Sequence, residues 1–221
     1  MNSRAKPKCA LIILAAGGSA RLGRPKQLVS FRGRSLLRRA AQTALASDCR
    51  PVIVVLGAFA RRLKGELGAL PLTVATNLQW GLGIGSSIRA GLAALPPGRD
   101  APDAVVIMLC DQPLISARFL NRLLAVHHSS RRGIVASEYA GTVGVPALFS
   151  RAYYPELAAL AADSGAKAVI VKHEKDLERI PLAEAAFDLD RPEDMRRMRD
   201  YSGAKFAGWS QGAKNEKKKA K

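Results

Sequence analysis

The sequence predicts an α/β fold in which helices cover both faces of a mostly parallel central sheet, giving a three-layer sandwich. Three observations support this prediction. Short apolar runs of strand length alternate with amphipathic segments of helix length along most of the 221 residues. Several runs are apolar at every position, as in strands that are buried on both faces. Glycine-rich or acidic loops follow some of these runs, where open α/β sheets hold their ligands.

The first half of the chain repeats the strand–helix alternation. Cys9–Leu14 is the first predicted strand, and a glycine-rich loop follows it. The helix expected from Ser35 to Ala46 has apolar residues at helical spacing, which gives it one buried face. The remaining elements predicted in this half are strands at Pro51–Leu56 and Leu72–Ala75 and helices at Phe59–Leu67 and Ile88–Leu95. Parallel strands joined in this way require right-handed crossovers.

The second half begins with a central strand at Asp103–Leu109, which ends at the segment Cys110-Asp111-Gln112-Pro113. A helix is expected from Ser116 to His127, because Ser116 is a favourable N-cap. The next predicted elements are a strand at Ile134–Ala136 and a helix at Arg151–Ala162.

Composition favours one folded domain with basic ends. Hydrophobic residues make up 48% of the chain, which is enough for a substantial core. We predict a mobile basic arm at residues 1–8, a single domain at 9–202 and a disordered, lysine-containing tail at 203–221. The net charge of +17 raises the possibility of a nucleic-acid-binding protein. It is equally expected around a site that attracts a triphosphate and a second anionic substrate.

Cysteine usage and hydropathy predict a cytoplasmic protein without a membrane partner. The three cysteines show no disulfide or metal-ligand spacing, which is typical of a reducing compartment. The basic N-terminus and the apolar run Cys9–Ala16 mimic a signal peptide, but the supposed cleavage site falls inside the glycine-rich loop. No apolar run approaches the length of a membrane span.

The glycine-rich loop lies between Leu14 and Lys26. Glycines at such a turn let backbone N–H groups approach a ligand closely, and Arg21, Arg24 and Lys26 add positive charge there. Exposed amides and cations together suit a polyphosphate. The loop is not a Walker A motif, which needs Lys-Ser/Thr after its last glycine. It also lacks the G-x-G-x-x-G spacing of the dinucleotide fingerprint.

This loop resembles the signature L-A-A/G-G-x-S-x-R-x-G-x-x-K of the MobA-like NTP transferases, which are related to the molybdenum cofactor cytidylyl- and guanylyltransferases. The matching positions are Leu14, Ala15, Ala16, Gly17, Ser19, Arg21, Gly23 and Lys26. The resemblance implies a Rossmann-like fold of the nucleotide-diphospho-sugar transferase type, with Arg21 and Lys26 as catalytic residues that hold the triphosphate. In this loop it assigns nucleotide binding to Leu14, Ala15, Ala16, Gly17, Gly18, Ser19 and Lys26.

A second loop, from Asn77 to Ser87, contains three glycines and leads into the helix predicted at Ile88–Leu95. In the family, a segment of the form N-x-x-x-G-x-x-x-S frames the base and ribose. The resemblance therefore implies nucleotide contacts by Asn77, Gly81, Ser86 and Ser87. For the two serines, a role as helix N-cap is an alternative interpretation that stays open.

A metal site is expected where the central strand Asp103–Leu109 ends. The segment Cys110-Asp111-Gln112-Pro113 matches the form used in the cytidylyltransferase branch of the family. Asp111 suits Mg²⁺, a hard cation that prefers carboxylates and substrate phosphates. Residues 188–195 resemble the family element D-I/V-D-T-P-E-D-L, which implies Asp190 as the second metal ligand and Asp188 as the fallback.

The resemblance also implies an acceptor site. The family element G-x-x-G-x-P lines the side of the second substrate, which assigns Gly144 and Pro146 to acceptor binding. The three histidines lie in no motif for zinc binding or for a Ser-His-Asp triad. The function implied is a Mg²⁺-dependent nucleotidyltransferase that joins an NTP, with CTP favoured, to a phosphorylated acceptor such as molybdopterin. A molybdoenzyme or its maturation factor is the implied protein partner.

Two alternatives belong to other classes. One is a nucleotidyltransferase of the same fold that acts on a sugar phosphate or another small phosphorylated molecule. The other is a nucleic-acid-binding or regulatory protein that uses the basic tail. Lys26, Asp111 and Asp190 argue against the second alternative, because binding nucleic acid through a tail requires none of them.

Overall fold

The computed structural model describes residues 8–19, residues 22–186 and Asp194. The strands in this part of the chain are β1 (Cys9–Ala15), β2 (Ser30–Phe31), β3 (Arg34–Ser35), β4 (Val52–Leu56), β5 (Thr73–Thr76), β6 (Ala104–Leu109), β7 (Ile134–Tyr139), β8 (Thr142–Ser150) and β9 (Leu177–Pro181). The helices are α1 (Leu36–Leu45), α2 (Ala60–Leu67), α3 (Ile84–Ala93), α4 (Ala117–Ser130), α5 (Tyr154–Ala158) and α6 (Lys167–Lys172). No helix in these ranges is long and apolar enough to cross a bilayer.

Seven strands form one sheet in the order β5-β4-β1-β6-β8-β7-β9, and β2 pairs with β3 in a separate hairpin. β8 is antiparallel to both of its neighbours, whereas every other pairing in the large sheet is parallel. The predicted α/β sandwich with a mostly parallel sheet is therefore confirmed. β1 lies between β4 and β6, and its register pairs Leu14 with Leu109. The loops that follow β1 and β6 consequently leave the sheet side by side.

The central strands β1, β4 and β6 are buried on both faces, as their continuous apolar runs predict, whereas the edge strands β5 and β9 are partly exposed. In β1, Leu11 and Ile13 pack into a core cluster that also includes residues of α1 and α4. Ile12 and Leu14 point to the opposite face and join residues of α3 and α6. Alternate residues of β1 thus pack into two different cores, and the strand lies between two layers of helices.

Helix α3 begins at Ile84, four residues before the predicted start, with Gly83 as its N-cap. Ser86 and Ser87 lie inside the first turn, so the expectation that one of them caps the helix is wrong. The early start depends on close packing against the 161–164 segment. A Cβ on Gly85 would lie 2.2 Å from the carbonyl oxygen of Ala161, and the Gly85 N–H donates to the Ala162 carbonyl at 2.8 Å.

The segment after β7 differs most from the prediction. The helix expected at Arg151–Ala162 is the short α5, which has Pro155 in its first turn. β8, α6 and β9 were not expected from the sequence pattern. β8 contains Gly144 and Pro146, which normally weaken or exclude an interior strand. A register shift between Ala136 and Ser137 in the β7–β8 pairing accommodates this irregular strand.

Candidate active site

A cavity of about 320 Å³ lies at the carboxyl edge of the sheet, where β1 and β6 end. It brings together three segments that are far apart in sequence: the glycine-rich loop, the second glycine-containing loop and the end of β6. Its lining residues are Leu14, Ala15, Ala16, Gly17, Gly18, Lys26, Gln27, Trp80, Gly81, Gly83, Ile84, Ser87, Leu109, Cys110 and Asp111. This is the position expected for a ligand site in an open α/β sheet.

Gln27 holds the glycine-rich loop in shape. Its side chain is buried, and its amide nitrogen donates to the carbonyl oxygens of Ala15 at 3.0 Å and Gly17 at 2.8 Å. Ser19 closes the loop from the other side, because its hydroxyl accepts the backbone N–H of Lys26 at 3.0 Å. The hydrogen bonds from Gln27 thus occupy the carbonyl oxygens of Ala15 and Gly17. Sequence reasoning missed Gln27, although a long amide directly after the motif lysine is a usable signal.

Lys26 and Asp111 form an ion pair at the wall of the cavity, with the Lys26 ammonium donating to Oδ2 of the carboxylate. The Asp111 side chain is only 6% exposed, and that of Lys26 is 20% exposed. Burying a carboxylate is costly unless it is paired, so Lys26 offsets part of that cost. Oδ1 of Asp111 is also buried and accepts no hydrogen bond from any residue within 8–19 or 22–186.

The buried Oδ1 of Asp111 fits a role as a ligand for a divalent cation. Magnesium keeps several waters and needs only one or two protein carboxylates together with substrate phosphates. The described residues contain no cluster of three or more histidine, cysteine, aspartate or glutamate side chains around a possible metal. Asp111 is thus the single carboxylate that this part of the chain brings to the cavity. The other predicted residues, Arg21, Asp190 and its fallback Asp188, lie outside the described residues.

Cys110 also lines the cavity but is not suited to nucleophilic chemistry. Burial raises the pKa of its thiol far above the ordinary value, and the neighbouring Asp111 charge raises it further. The thiol therefore stays protonated at neutral pH, whereas the reactive form of cysteine is the thiolate. The remaining candidates for chemistry at this edge of the sheet are Lys26 and Asp111.

The second loop is organised by Asn77. Its amide nitrogen donates to the hydroxyls of Ser86 at 2.9 Å and Ser87 at 3.0 Å, and its carbonyl oxygen accepts the N–H of Gln79 at 2.9 Å. The Ser86 hydroxyl in turn donates to the Gly83 carbonyl at 2.7 Å. Asn77 and Ser86 are buried beneath the loop and do not line the cavity. Of the four residues predicted here, only Gly81 and Ser87 do so.

Trp80 forms a wall of the cavity that sequence reasoning did not anticipate. A Cβ on Gly18 would lie 3.1 Å from Cζ3 of Trp80, and one on Gly57 would lie 2.6 Å from its Cβ. Gly18 therefore makes room for the indole and Gly57 for the Cβ of Trp80, a residue that remains 40% exposed. An aromatic residue inside an otherwise glycine-rich loop was the available signal.

Gly144 and Pro146, predicted to contact the acceptor, are buried in β8. A Cβ on Gly144 would lie 2.4 Å from the Tyr139 hydroxyl, so glycine is what allows Tyr139 to pack there. Between them, the carbonyl of Val145 accepts hydrogen bonds from Gln112 at 3.2 Å and from Tyr139 at 3.3 Å. The two predicted residues thus shape the wall, and their neighbours Val145 and Tyr139 line a second, smaller cavity.

The sequence matches one known family over most of its length. The family described as MobA-like NTP transferase domain matches residues 11–177. Nicotine blue oxidoreductase of Paenarthrobacter nicotinovorans is 36% identical over 143 residues, which cover 64% of this chain and 67% of that protein. The bifunctional protein GlmU of Mycobacterium sp. strain KMS is 35% identical over 136 residues. That match covers 58% of this chain but only 27% of GlmU.

Solved structures of similar proteins have the same fold. The crystal structure of Rv0371c from Mycobacterium tuberculosis H37Rv superposes with a TM-score of 0.77 at 28% identity, covering 89% of this chain and all of that chain. A further structure of that protein is a complex with manganese, with a TM-score of 0.73 at 26% identity, covering 88% of this chain and 100% of that chain. A protein similar to this chain thus binds a divalent cation of the kind that Asp111 suits.

Proposed function

The chain belongs to the family of MobA-like NTP transferase domains, and on that premise we propose that it transfers a nucleotidyl group from an NTP to a phosphorylated small-molecule acceptor. The observation that carries the proposal is the Lys26–Asp111 pair in the wall of the cavity formed by the glycine-rich loop. A cation and a carboxylate beside exposed loop amides are the groups that a metal–triphosphate complex requires.

The reaction requires no general base in the protein. An oxygen of the acceptor phosphate, which is already ionised, forms a bond to the α-phosphorus of the NTP. The bond from that phosphorus to the bridging oxygen breaks, and pyrophosphate leaves with its electron pair. The protein has to hold the two substrates in line and to stabilise the charge that develops on the leaving group.

Lys26 and Asp111 divide this task. On binding of the triphosphate, Lys26 exchanges its contact with Asp111 for the phosphates, and Arg21 is its proposed companion. The freed carboxylate of Asp111, with Asp190 as the proposed second ligand, would hold Mg²⁺. When bound, that ion supplies Lewis-acid stabilisation of the phosphoryl oxygens. Gly81 and Ser87 are the proposed contacts of the second loop with the nucleoside, since both line the cavity.

The substrate pair that we propose is CTP with molybdopterin. The support for it is the segment Cys110-Asp111-Gln112-Pro113, which has the form of the cytidylyltransferase branch. A molybdoenzyme or its maturation factor is the proposed recipient of the product. The test is a screen of the four NTPs with molybdopterin, with sugar phosphates as competing acceptors, scored by pyrophosphate release. Release with CTP and molybdopterin supports the pair. Release with a sugar phosphate alone overturns the acceptor and keeps the reaction class.

A second candidate function comes from the relative named nicotine blue oxidoreductase, which is 36% identical to this chain. If this chain shared an oxidoreductase activity, the reaction that we would test first is hydride transfer from a nicotinamide nucleotide. Oxidation of NADPH, followed by its absorbance in the presence of quinones, tests this candidate. Asp111→Asn separates the two functions, because it removes the proposed metal ligand of nucleotidyl transfer and no group that hydride transfer needs.

A further inference from the structure

Two of the three cysteines lie side by side at the amino edge of the sheet, at the opposite end of β1 from the nucleotide cavity. Cys9 is the first residue of β1, and Cys49 lies just before β4, the strand that pairs with β1. The backbone N–H of Arg50 donates to the Cys9 carbonyl at 2.7 Å, so the two cysteines occupy adjacent positions on neighbouring segments. The spacing of the cysteines in the sequence does not predict this proximity.

The two thiols interact directly. Both side chains belong to the same core cluster. The Cys9 thiol has two acceptors for its proton, which are the Ala10 carbonyl oxygen at 3.4 Å and the Cys49 sulfur. A disulfide requires two cysteines whose backbones and side chains are this close, whereas Cys110 lies at the other end of the sheet and has no thiol beside it.

The contact makes the two thiols differ in acidity. The hydrogen bond from Cys9 is the main effect, and it lowers the pKa of the Cys49 thiol. Ser47 and the Arg50 guanidinium lower that pKa further, whereas burial and the Asp48 carboxylate raise it. The same hydrogen bond, followed by burial, raises the pKa of the Cys9 thiol. Cys49 is therefore the member of the pair that ionises first, and the thiolate is the form of cysteine that attacks an oxidant.

Both thiols are buried, but they lie directly beneath the surface. Cys9 is 5% exposed and lines two cavities, of about 850 Å³ and about 350 Å³. Cys49 is fully buried, although its chain neighbours Asp48 and Arg50 are exposed. It belongs to the surface connection 46–51 between α1 and β4, and such connections open at a lower cost in free energy than strands do. A small oxidant such as hydrogen peroxide can reach the pair by this route.

We propose that Cys9 and Cys49 form a reversible oxidation site, at which a peroxide converts the two thiols into a disulfide. The Cys49 thiolate attacks one oxygen of hydrogen peroxide, the O–O bond breaks, and the other oxygen takes up a proton and leaves as water. The Cys9 sulfur then attacks the sulfur of the resulting sulfenic acid, whose hydroxyl leaves as water with the Cys9 proton. Two thiols are oxidised, and one peroxide is reduced to two molecules of water.

The disulfide ties β1 to the connection that precedes β4, and it closes a ring of chain that contains the glycine-rich loop. In a reducing compartment, disulfides are usually transient and often sense the redox state. A dithiol reductant reverses the step, because its thiolate attacks the disulfide and restores both cysteines. This site goes beyond the proposed function and does not depend on it.

The test is peptide mass spectrometry on the full native chain, after treatment with equimolar hydrogen peroxide and blocking of the remaining thiols. We expect one cross-link, between Cys9 and Cys49, and a fall in free thiols from three to one. Cys110 should stay reduced, because burial raises its pKa and it has no partner thiol. Dithiothreitol should restore all three thiols. In urea, where the contact is lost, the three cysteines should react without this preference.

Two serine variants separate the roles of the pair. Cys9→Ser keeps a donor beside Cys49, so Cys49 should still be oxidised and should stop at a sulfenic acid, which dimedone traps. Cys49→Ser leaves Cys9 as a buried thiol, and its oxidation should be about tenfold slower, which corresponds to one unit of pKa. Cys110→Ser is the matched control and should leave the cross-link unchanged.

The inference is overturned if the native chain keeps all three thiols under these conditions, because the pair would then be ordinary core packing. Oxidation of Cys110 before the pair, or a cross-link between two chains, overturns it as well. The measurement on the parent chain requires no variant, so a variant that fails to fold leaves the outcome decided. The experiment contains no NTP, and its result is therefore separate from any success or failure of nucleotidyl transfer.

Discussion

At the scale of single residues, the candidate site depends on the contact between Lys26 and Asp111. The sequence predicted both residues, but it did not predict that they touch. The contact arises because β1 and β6 are neighbours in the sheet. Neither motif contains information on the order of the strands. The roles of Gln27 and Trp80 were missed for a related reason, since each acts by packing against backbone that comes close only in the fold.

We expect Lys26→Ala to lower the rate of pyrophosphate release about 100-fold, the usual cost of removing one group that stabilises transition-state charge. The fold should survive, because Lys26 belongs to neither core, although loss of its ion pair with the buried Asp111 should lower the free energy of unfolding. Steady-state kinetics with CTP, together with a circular dichroism spectrum, measure both effects. Arg24→Ala is the control, because it removes a charge from the same loop at a residue that does not line the cavity. Normal kinetics for the Lys26 variant would show that this loop does not bind the triphosphate.

Asp111→Asn should move the Mg²⁺ dependence of turnover to higher concentration, because the variant keeps the size of the side chain and loses its charge. Asp190→Asn should do the same if Asp190 is the second ligand. The double variant should then be little worse than either single one, since residues that act as a unit are not additive. Asp188→Asn is the control. A larger effect at Asp188 than at Asp190 would mean that the assignment of the last motif is wrong by two residues.

At the scale of elements, the four motif residues of the loop from Asn77 to Ser87 have two different positions in the structure. Asn77 and Ser86 hold the loop and the first turn of α3 together, whereas Gly81 and Ser87 face the cavity. A motif marks all four alike. The sequence pattern also failed to predict β8, because that strand contains two residues that are rare in strand interiors. Gly144 and Pro146 carry roles in packing that outweigh their poor strand propensity.

Asn77→Ala should destabilise the protein by about 2–3 kcal/mol, because it removes three hydrogen bonds, two of them fully buried, that each contribute about 1 kcal/mol. Urea denaturation of the variant measures this loss directly. Ser87→Ala is the comparison, since it removes only one of these bonds and should cost less stability. If Ser87 also contacts the nucleoside, its variant should raise the KM for CTP. The contrary result, in which Asn77→Ala is as stable as the parent but loses CTP binding, would assign Asn77 to the ligand.

At the scale of the whole molecule, the pattern of apolar runs was enough to predict the class of fold and the first four large-sheet strands to within one or two residues. Three of these strands, β1, β4 and β6, are buried between helices, so their continuous apolar runs identify them, whereas β5 is a partly exposed edge strand. The second half was harder, because β8 runs against its neighbours and because α5 and α6 are too short for a clear helical period. The predicted basic arm and tail remain predictions, since residues 1–7 and 195–221 lie outside the described residues.

The net charge of +17 is divided between the domain and the tail, and this division gives the last prediction. Residues 203–221 carry six lysines and one glutamate, so their removal takes away five net positive charges. All the motifs of the candidate site precede this segment. We therefore expect the truncated protein to release pyrophosphate with an unchanged kcat. The value of kcat/KM should fall with added salt in both forms, because steering of anionic substrates is screened by ions.

The same truncation tests the nucleic-acid alternative. Fluorescence anisotropy with labelled single-stranded RNA and duplex DNA measures binding by the full and truncated chains, at two salt concentrations. If the tail is a nucleic-acid-binding segment, binding should be strong in the full chain, weaken steeply with salt and disappear on truncation. That result combined with no turnover of any NTP would favour a binding protein over an enzyme. A large loss of kcat in a truncated chain that keeps its fold would instead show that the tail takes part in catalysis, because charge screening alone alters encounter and not the chemical step.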